Sequence, residues 1–226
     1  MQTAEFGGDR QTTKLDLVLS FVTAFGLPFA CAWLFNLTDR AWPGLLLYYL
    51  GACILLVWWR KGTLDYRKPE RWPWLWFVIG LVLTAIISYS NWGAYPNYGA
   101  SPTGLWLTLL LWAPLNGALE QLSWQYVLDA WRNRWSAGWP RGLGLFVGII
   151  LILALVSLIH ILFWSLFLPA KQGDMAWLTP VLNTVLTLVY VMLYLRSRSM
   201  WPTFIIHTLV DLQLVALANY SIWPDL

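Results

Sequence analysis

The chain has 226 residues, 59% of them hydrophobic and 11% charged, with a mean hydropathy of +0.59 and a formal net charge of +3. Soluble domains carry about 25% charged residues, so this balance excludes a soluble globular protein and leaves no room for a separate soluble domain. It describes one all-α polytopic transmembrane helix bundle over residues 1–226, with positive charge in loops beside a membrane and no nucleic-acid surface.

Residues 1–14 form a polar tail of mixed charge. The tail lacks the basic n-region of a signal peptide, and no A-x-A-like site follows the first apolar run, so that run is expected to stay as a helix. Seven apolar stretches are long enough to cross a bilayer, at about 15–36, 42–59, 73–90, 104–131, 142–168, 175–195 and 201–220. Cys31 and Cys53 stand alone in the first two and read as buried thiols. The fourth stretch contains Ala113-Pro114 and Gly117. Proline removes a backbone donor and clashes with the preceding turn, so a kink or break is expected there. It falls just before Glu120, where an opening to a site would be tolerated.

Lysines and arginines alternate sharply between the connecting segments. Twelve fall on one side: Arg10 and Lys14; Arg60, Lys61, Arg67, Lys68 and Arg71; Arg132, Arg134 and Arg141; Arg196 and Arg198. Arg40 and Lys171 alone fall on the other. This bias puts the N-terminus and the basic loops in the cytoplasm of a bacterial-type inner (plasma) membrane, and an odd number of spans leaves the C-terminus outside. Most of the 18 tryptophans sit near span ends, among them Trp42, Trp58, Trp72, Trp139, Trp177, Trp201 and Trp223, as amphipathic rings do at the headgroup level. Trp112, Trp124 and Trp164 lie deeper, and packing is the simpler reading of them than lining a pocket. There is no internal repeat, Gly-rich phosphate loop or HExxH motif.

Glu120, His160, His207 and Asp211 lie inside the apolar stretches. An ionisable side chain at bilayer depth costs at least about 2.5 kcal/mol, so such groups need partners or a task. In ALEQLSWQYVL (118–128), Glu120 shares a helical face with Ser123 and Trp124, and Gln121 and Gln125 form an i, i+4 pair beside it. LVSLIHILFW (155–164) carries His160 in an otherwise apolar helix. In SMWPTFIIHTLVD (199–211), Trp201-Pro202 suits a helix start, and His207 and Asp211, four apart, project from one face.

These three segments, in this order, resemble the CPBP intramembrane proteases, which include the type II CAAX prenyl endopeptidases and carry EExxxR, then FxxxH, then HxxxN or HxxxD. The resemblance covers about residues 104–215, and the first three helices add nothing to it. Glu120, His160, His207 and Asp211 match. Gln121, Gln125 and Val156 stand where the family has glutamate, arginine and phenylalanine. The two glutamines remove a costly buried ion pair together and leave two amides able to bond each other. The resemblance implies an endopeptidase that hydrolyses a peptide bond of a membrane-associated or prenylated substrate near the cytoplasmic face. Glu120 would be the base that activates water, with His160 as its partner. His207 and Asp211 would orient the site or stabilise the oxyanion, Asp211 through a ring nitrogen of His207. Gln121, Gln125 and Trp124 would support them. No cofactor is implied, although two histidines with carboxylates are also a set that Zn²⁺ accepts.

Depth sets a condition on this cluster. At about 1.5 Å per residue, His160 is farther along its stretch than Glu120 and His207 are along theirs, so its helix must start outside the membrane or tilt. Three other readings stand beside the peptidase. One is a catalytically silent relative that binds a peptide, lipid or protein partner as an assembly or immunity subunit. Another is a histidine-ligated tetrapyrrole in a Trp-rich complex, and the last is polar side chains that merely knit helices together.

Overall fold

The computed structural model describes residues 10–172 and 178–223. Trp177, the first residues of the sixth expected span and residues 1–9 of the tail lie outside the described residues. Among those described there is no strand. The described residues form seven long helical rods: α1 (Lys14–Thr38), α2 (Ala41–Lys61), α3 (Trp74–Asn91), α4 (residues 102–132), α5 (Gly138–Leu162), α6 (Leu178–Ser197) and α7 (Trp201–Ala218). Six of the seven, all but α4, are long and apolar enough to cross a membrane. The chain is an integral multi-pass membrane protein.

α4 is the exception for a physical reason. Fourteen of the twenty residues from Ala113 to Arg132 are buried, Asn116, Glu120, Gln121, Gln125 and Asp129 among them. It packs against α1, α2, α5 and α7. A helix jacketed by other helices meets little lipid, so it can carry the polar side chains that the outer helices exclude. Two glycines let it approach its neighbours. A Cβ on Gly117 would lie 2.8 Å from the Thr208 backbone nitrogen on α7, and one on Gly144 of α5 would run into the Trp131 carbonyl.

The expected break at Ala113-Pro114 does not occur. Helical dihedrals run through Trp112 and Ala113, and the turn before the proline is wound as a π-helix over Thr108–Trp112. The wider turn relieves the clash of the ring with the carbonyl four residues back. α1 does the same over Val22–Gly26, just before Pro28. In α2 the π-helix Leu46–Leu56 turns two successive tyrosines, Tyr48 and Tyr49, into the core.

Backbone hydrogen bonds tie the loops into two ends. At one, Glu70 N bonds Ser197 O at 3.1 Å and Met200 N bonds Asp65 O at 3.1 Å. At the other, Tyr98 N bonds Ala218 O at 3.0 Å and Gln172 N bonds Ala94 O at 2.8 Å. The first end carries the basic loops, but two of its cations are spent inside the fold. Arg60 Nε bonds Asp16 Oδ1 at 2.8 Å, joining α2 to α1. Lys61, its side chain 7% exposed, bonds Asp129 at 2.7 Å, Asp65 at 2.8 Å and Tyr194 at 2.9 Å. That cluster stitches α2, α4, α6 and the loop after α2 together at one point.

Candidate active site

Glu120 lies near the middle of α4, 1% exposed, and accepts from three donors, with the His207 ring beside it. Tyr48 Oη at 3.0 Å and Trp164 Nε1 at 2.9 Å donate to Oε1. Asn116 Nδ2 at 3.3 Å and His207 Nε2 at 3.4 Å face Oε2. A carboxylate has about four lone-pair directions, and hydrogen bonds take three of them. The Oε1 contacts are the shorter pair, and Oε2 is the loosely held oxygen.

Asn116, one turn before Glu120, carries the site across to α7. Its Nδ2 also donates to Asp211 Oδ2 at 2.9 Å, and Tyr49 Oη donates to its Oδ1 at 2.6 Å. The amide therefore bridges two buried carboxylates. His207 Nε2 faces both, with Asp211 Oδ2 at 3.8 Å. Nearly parallel rings of Trp124 (centroids 5.2 Å apart, 25°) and Tyr190 (5.4 Å, 27°) hold the imidazole.

The two carboxylates share Nε2, while His207 Nδ1 is buried with no hydrogen-bond partner among the described residues. The i, i+4 spacing of His207 and Asp211 aims both side chains at α4, and the Gly117–Thr208 approach sets that separation.

His160 lines the same cavity as Glu120, His207 and Asp211, so the depth condition is met. α5 begins at Gly138, before Arg141 at the basic end, which brings His160 level with the others. His160 makes no hydrogen bond to either carboxylate. Its Nδ1 lies 2.7 Å from the Val156 carbonyl, which can only accept, so the hydrogen sits on Nδ1 and Nε2 is the basic nitrogen.

The cavity measures about 540 Å³. Trp112, Trp124 and Trp164 all line it, which overturns the reading of them as packing alone. Trp164 donates to Glu120 directly, and Trp124 Nε1 donates to Tyr48 Oη at 3.1 Å. The expected Gln121–Gln125 pair does not form. Gln121 Nε2 instead donates to Tyr66 Oη at 2.7 Å, and the side-chain oxygens of both glutamines are buried without a partner among the described residues. The Tyr66 hydroxyl takes the Gln121 donor in place of the next turn of its own helix.

Sequence reasoning missed Asn116, Tyr48 and Tyr49. The i−4 position of Asn116 from Glu120 was a usable signal. The tyrosines belong to a helix that the motif pattern leaves out. Among the described residues, no group of three His, Cys, Asp or Glu side chains is arranged to share a metal ion.

Comparison with curated proteins and with solved structures finds no match. Residues 101–213, half of the chain, match the family described as type II CAAX prenyl endopeptidase Rce1-like. The matched segment runs from the start of α4 into α7 and contains Glu120, His160, His207 and Asp211, the residues that face the cavity. The chain belongs to the Rce1-like type II CAAX prenyl endopeptidase family.

Proposed function

We propose that the protein is an intramembrane endopeptidase that hydrolyses a peptide bond of a membrane-associated or prenylated substrate in a bacterial-type inner membrane. Glu120 and His160 together activate a water in the cavity. Glu120 Oε2 takes the water proton when one of its two long contacts yields, since Oε1 is held by the shorter bonds of Tyr48 and Trp164. The hydroxide adds to the peptide carbonyl carbon. Glu120 then passes the proton to the leaving nitrogen, the C–N bond breaks, and the products are a carboxylate and an amine.

His207 supplies the fixed N–H that stabilises the developing oxyanion, and its contacts with the Trp124 and Tyr190 rings, which also touch each other, spare it reorganisation during the step. Asp211 and Asn116 hold His207 and Glu120 in register. Gln121 and Gln125 stand apart from the chemistry, because neither side chain bonds Glu120 or the histidines. The family's endopeptidase description supports the reaction class. The observation that supports the residue assignment is that Glu120, His160, His207 and Asp211, from three helices, border one cavity inside the bundle.

The test is to reconstitute the purified protein in liposomes with a prenylated CAAX peptide and to read new termini by mass spectrometry. Wild type should cleave. Glu120→Gln should abolish cleavage while its melting temperature shows that it still folds. Equal cleavage by that variant would remove Glu120 as the base. Binding of the peptide without cleavage by wild type would favour the silent partner-binding alternative.

A further inference from the structure

Tyr48 and Tyr49 are neighbours on α2, a helix that ends before the matched family segment begins. Both are buried, at 0% and 8% exposure, and both hydroxyls reach α4. Tyr48 bonds Glu120 itself, whereas Tyr49 bonds Asn116 one turn earlier. The two hydroxyls therefore act on different groups, and the part of Tyr49 follows from what Asn116 faces.

Asn116 Nδ2 lies 3.3 Å from Glu120 Oε2 and 2.9 Å from Asp211 Oδ2. A carboxylate oxygen accepts, so both amide hydrogens point to that side. The other end of the amide is then the carbonyl Oδ1, and the Tyr49 hydroxyl, 2.6 Å away, is its donor. An asparagine amide has nearly the same shape either way round, and its hydrogen-bond partners decide which end points where. Asn116 is 4% exposed, so bulk water has little part in that choice.

The choice matters once Glu120 has taken the proton of the attacking water. Oε2 then carries a hydrogen, and two donors face each other across 3.3 Å. A half-turn of the amide would offer Oδ1 to that hydrogen and hold the proton there, away from the leaving nitrogen. The same half-turn takes the acceptor from the buried Tyr49 hydrogen and sets Oδ1 against Asp211 Oδ2. Without the Tyr49 hydroxyl, only the second of these opposes it. We infer that Tyr49 is a positioning residue: through Asn116 it keeps the amide carbonyl turned away from Glu120, so that the base passes its proton on to the leaving group. The proton's route rests on the peptidase reading, and the amide's orientation rests on the hydrogen bonds alone.

The test compares wild type, Tyr49→Phe, Asn116→Leu and the double variant. Each is assayed in liposomes with the prenylated CAAX peptide, in H₂O and in D₂O, and each is melted. Tyr49→Phe keeps the ring and removes one hydrogen bond, so kcat should fall about tenfold. KM should stay unchanged, and the solvent deuterium effect on kcat should rise, which a merely structural loss would not produce. In the Asn116→Leu background the same substitution should change neither kcat nor melting temperature, although it lowers both in the wild type. An unaltered kcat in Tyr49→Phe, a rise in KM alone, or equal losses in both backgrounds overturns the inference. If Asn116→Leu does not fold, the deuterium effect decides, and an unchanged effect overturns it. A wild type that cuts nothing defeats the peptidase reading instead. The melting temperatures then still tell whether Tyr49 acts through Asn116, and equal losses in both backgrounds would show that it does not.

Discussion

Tyr48→Phe removes one oxygen atom from the centre of the site and leaves the ring in place. Tyr48 Oη donates to Glu120 Oε1 at 3.0 Å and accepts from Trp124 Nε1 at 3.1 Å, so two bonds are lost. A hydrogen bond to a charged group contributes about 1.5–3 kcal/mol in soluble proteins. Between membrane helices the mean is nearer 0.6 kcal/mol with a maximum of about 1.7, because the unfolded chain also finds partners in the bilayer. Glu120 is 1% exposed and its acceptor is a carboxylate, so the upper membrane figure, about 1.5 kcal/mol, applies to this bond. The orphaned Trp124 N–H adds about 1 kcal/mol. Tyr48→Phe should therefore cost about 2.5 kcal/mol in the wild type and about 1 kcal/mol in a Glu120→Ala background, where only the Trp124 term remains. Equilibrium unfolding of the four proteins in mixed micelles measures the difference. Costs equal in the two backgrounds to within about 0.5 kcal/mol would refute the coupling and with it the placement of Tyr48 in the site.

Gly117→Ala should weaken both fold and activity. The new Cβ would stand 2.8 Å from the Thr208 backbone nitrogen and force α7, with His207, away from Glu120. A loss of about 1–3 kcal/mol in unfolding free energy is expected, and an unchanged melting temperature would disprove the close approach. Gln121→Glu alone should destabilise by about 1–3 kcal/mol, since it removes the donor to Tyr66 Oη. Adding Gln125→Arg should recover part of that loss, and no recovery would show that the two positions do not meet. Lys61→Met should be costlier than any of these, about 3–5 kcal/mol, because it leaves Asp65 and Asp129 buried without their cation. A fall below about 1 kcal/mol, read by thermal unfolding, would mean that the cluster is relaxed by water or by Arg132.

What the sequence made legible was set by period and cost. The apolar stretches are long and their lengths match a bilayer, so the helical bundle and most of its rods were readable. The four ionisable groups were readable because lipid penalises them, and the i, i+4 spacing of His207 and Asp211 fixed their common face. The partners of Glu120 were a different matter. Tyr48, Tyr49 and Trp164 reach it from 72, 67 and 44 residues away or through Asn116, and an aromatic residue in a membrane helix carries no mark that separates a hydrogen-bond donor from packing. The π-helical winding that turns Tyr48 and Tyr49 inward together leaves no periodic trace. Gln121 and Gln125 misled for a related reason: helical spacing permits a pair, but Tyr66 from a loop outcompetes the intrahelical contact.

In the proposed mechanism Glu120 and His160 act as one unit on one water. The direct measurement is kcat for Glu120→Gln, His160→Ala and the two combined, with the prenylated CAAX peptide in liposomes. Residues that act as a unit lose their effect together, so the account predicts that the double variant is no slower than the slower single one. Losses that multiply, or a single variant that keeps wild-type kcat, would contradict it.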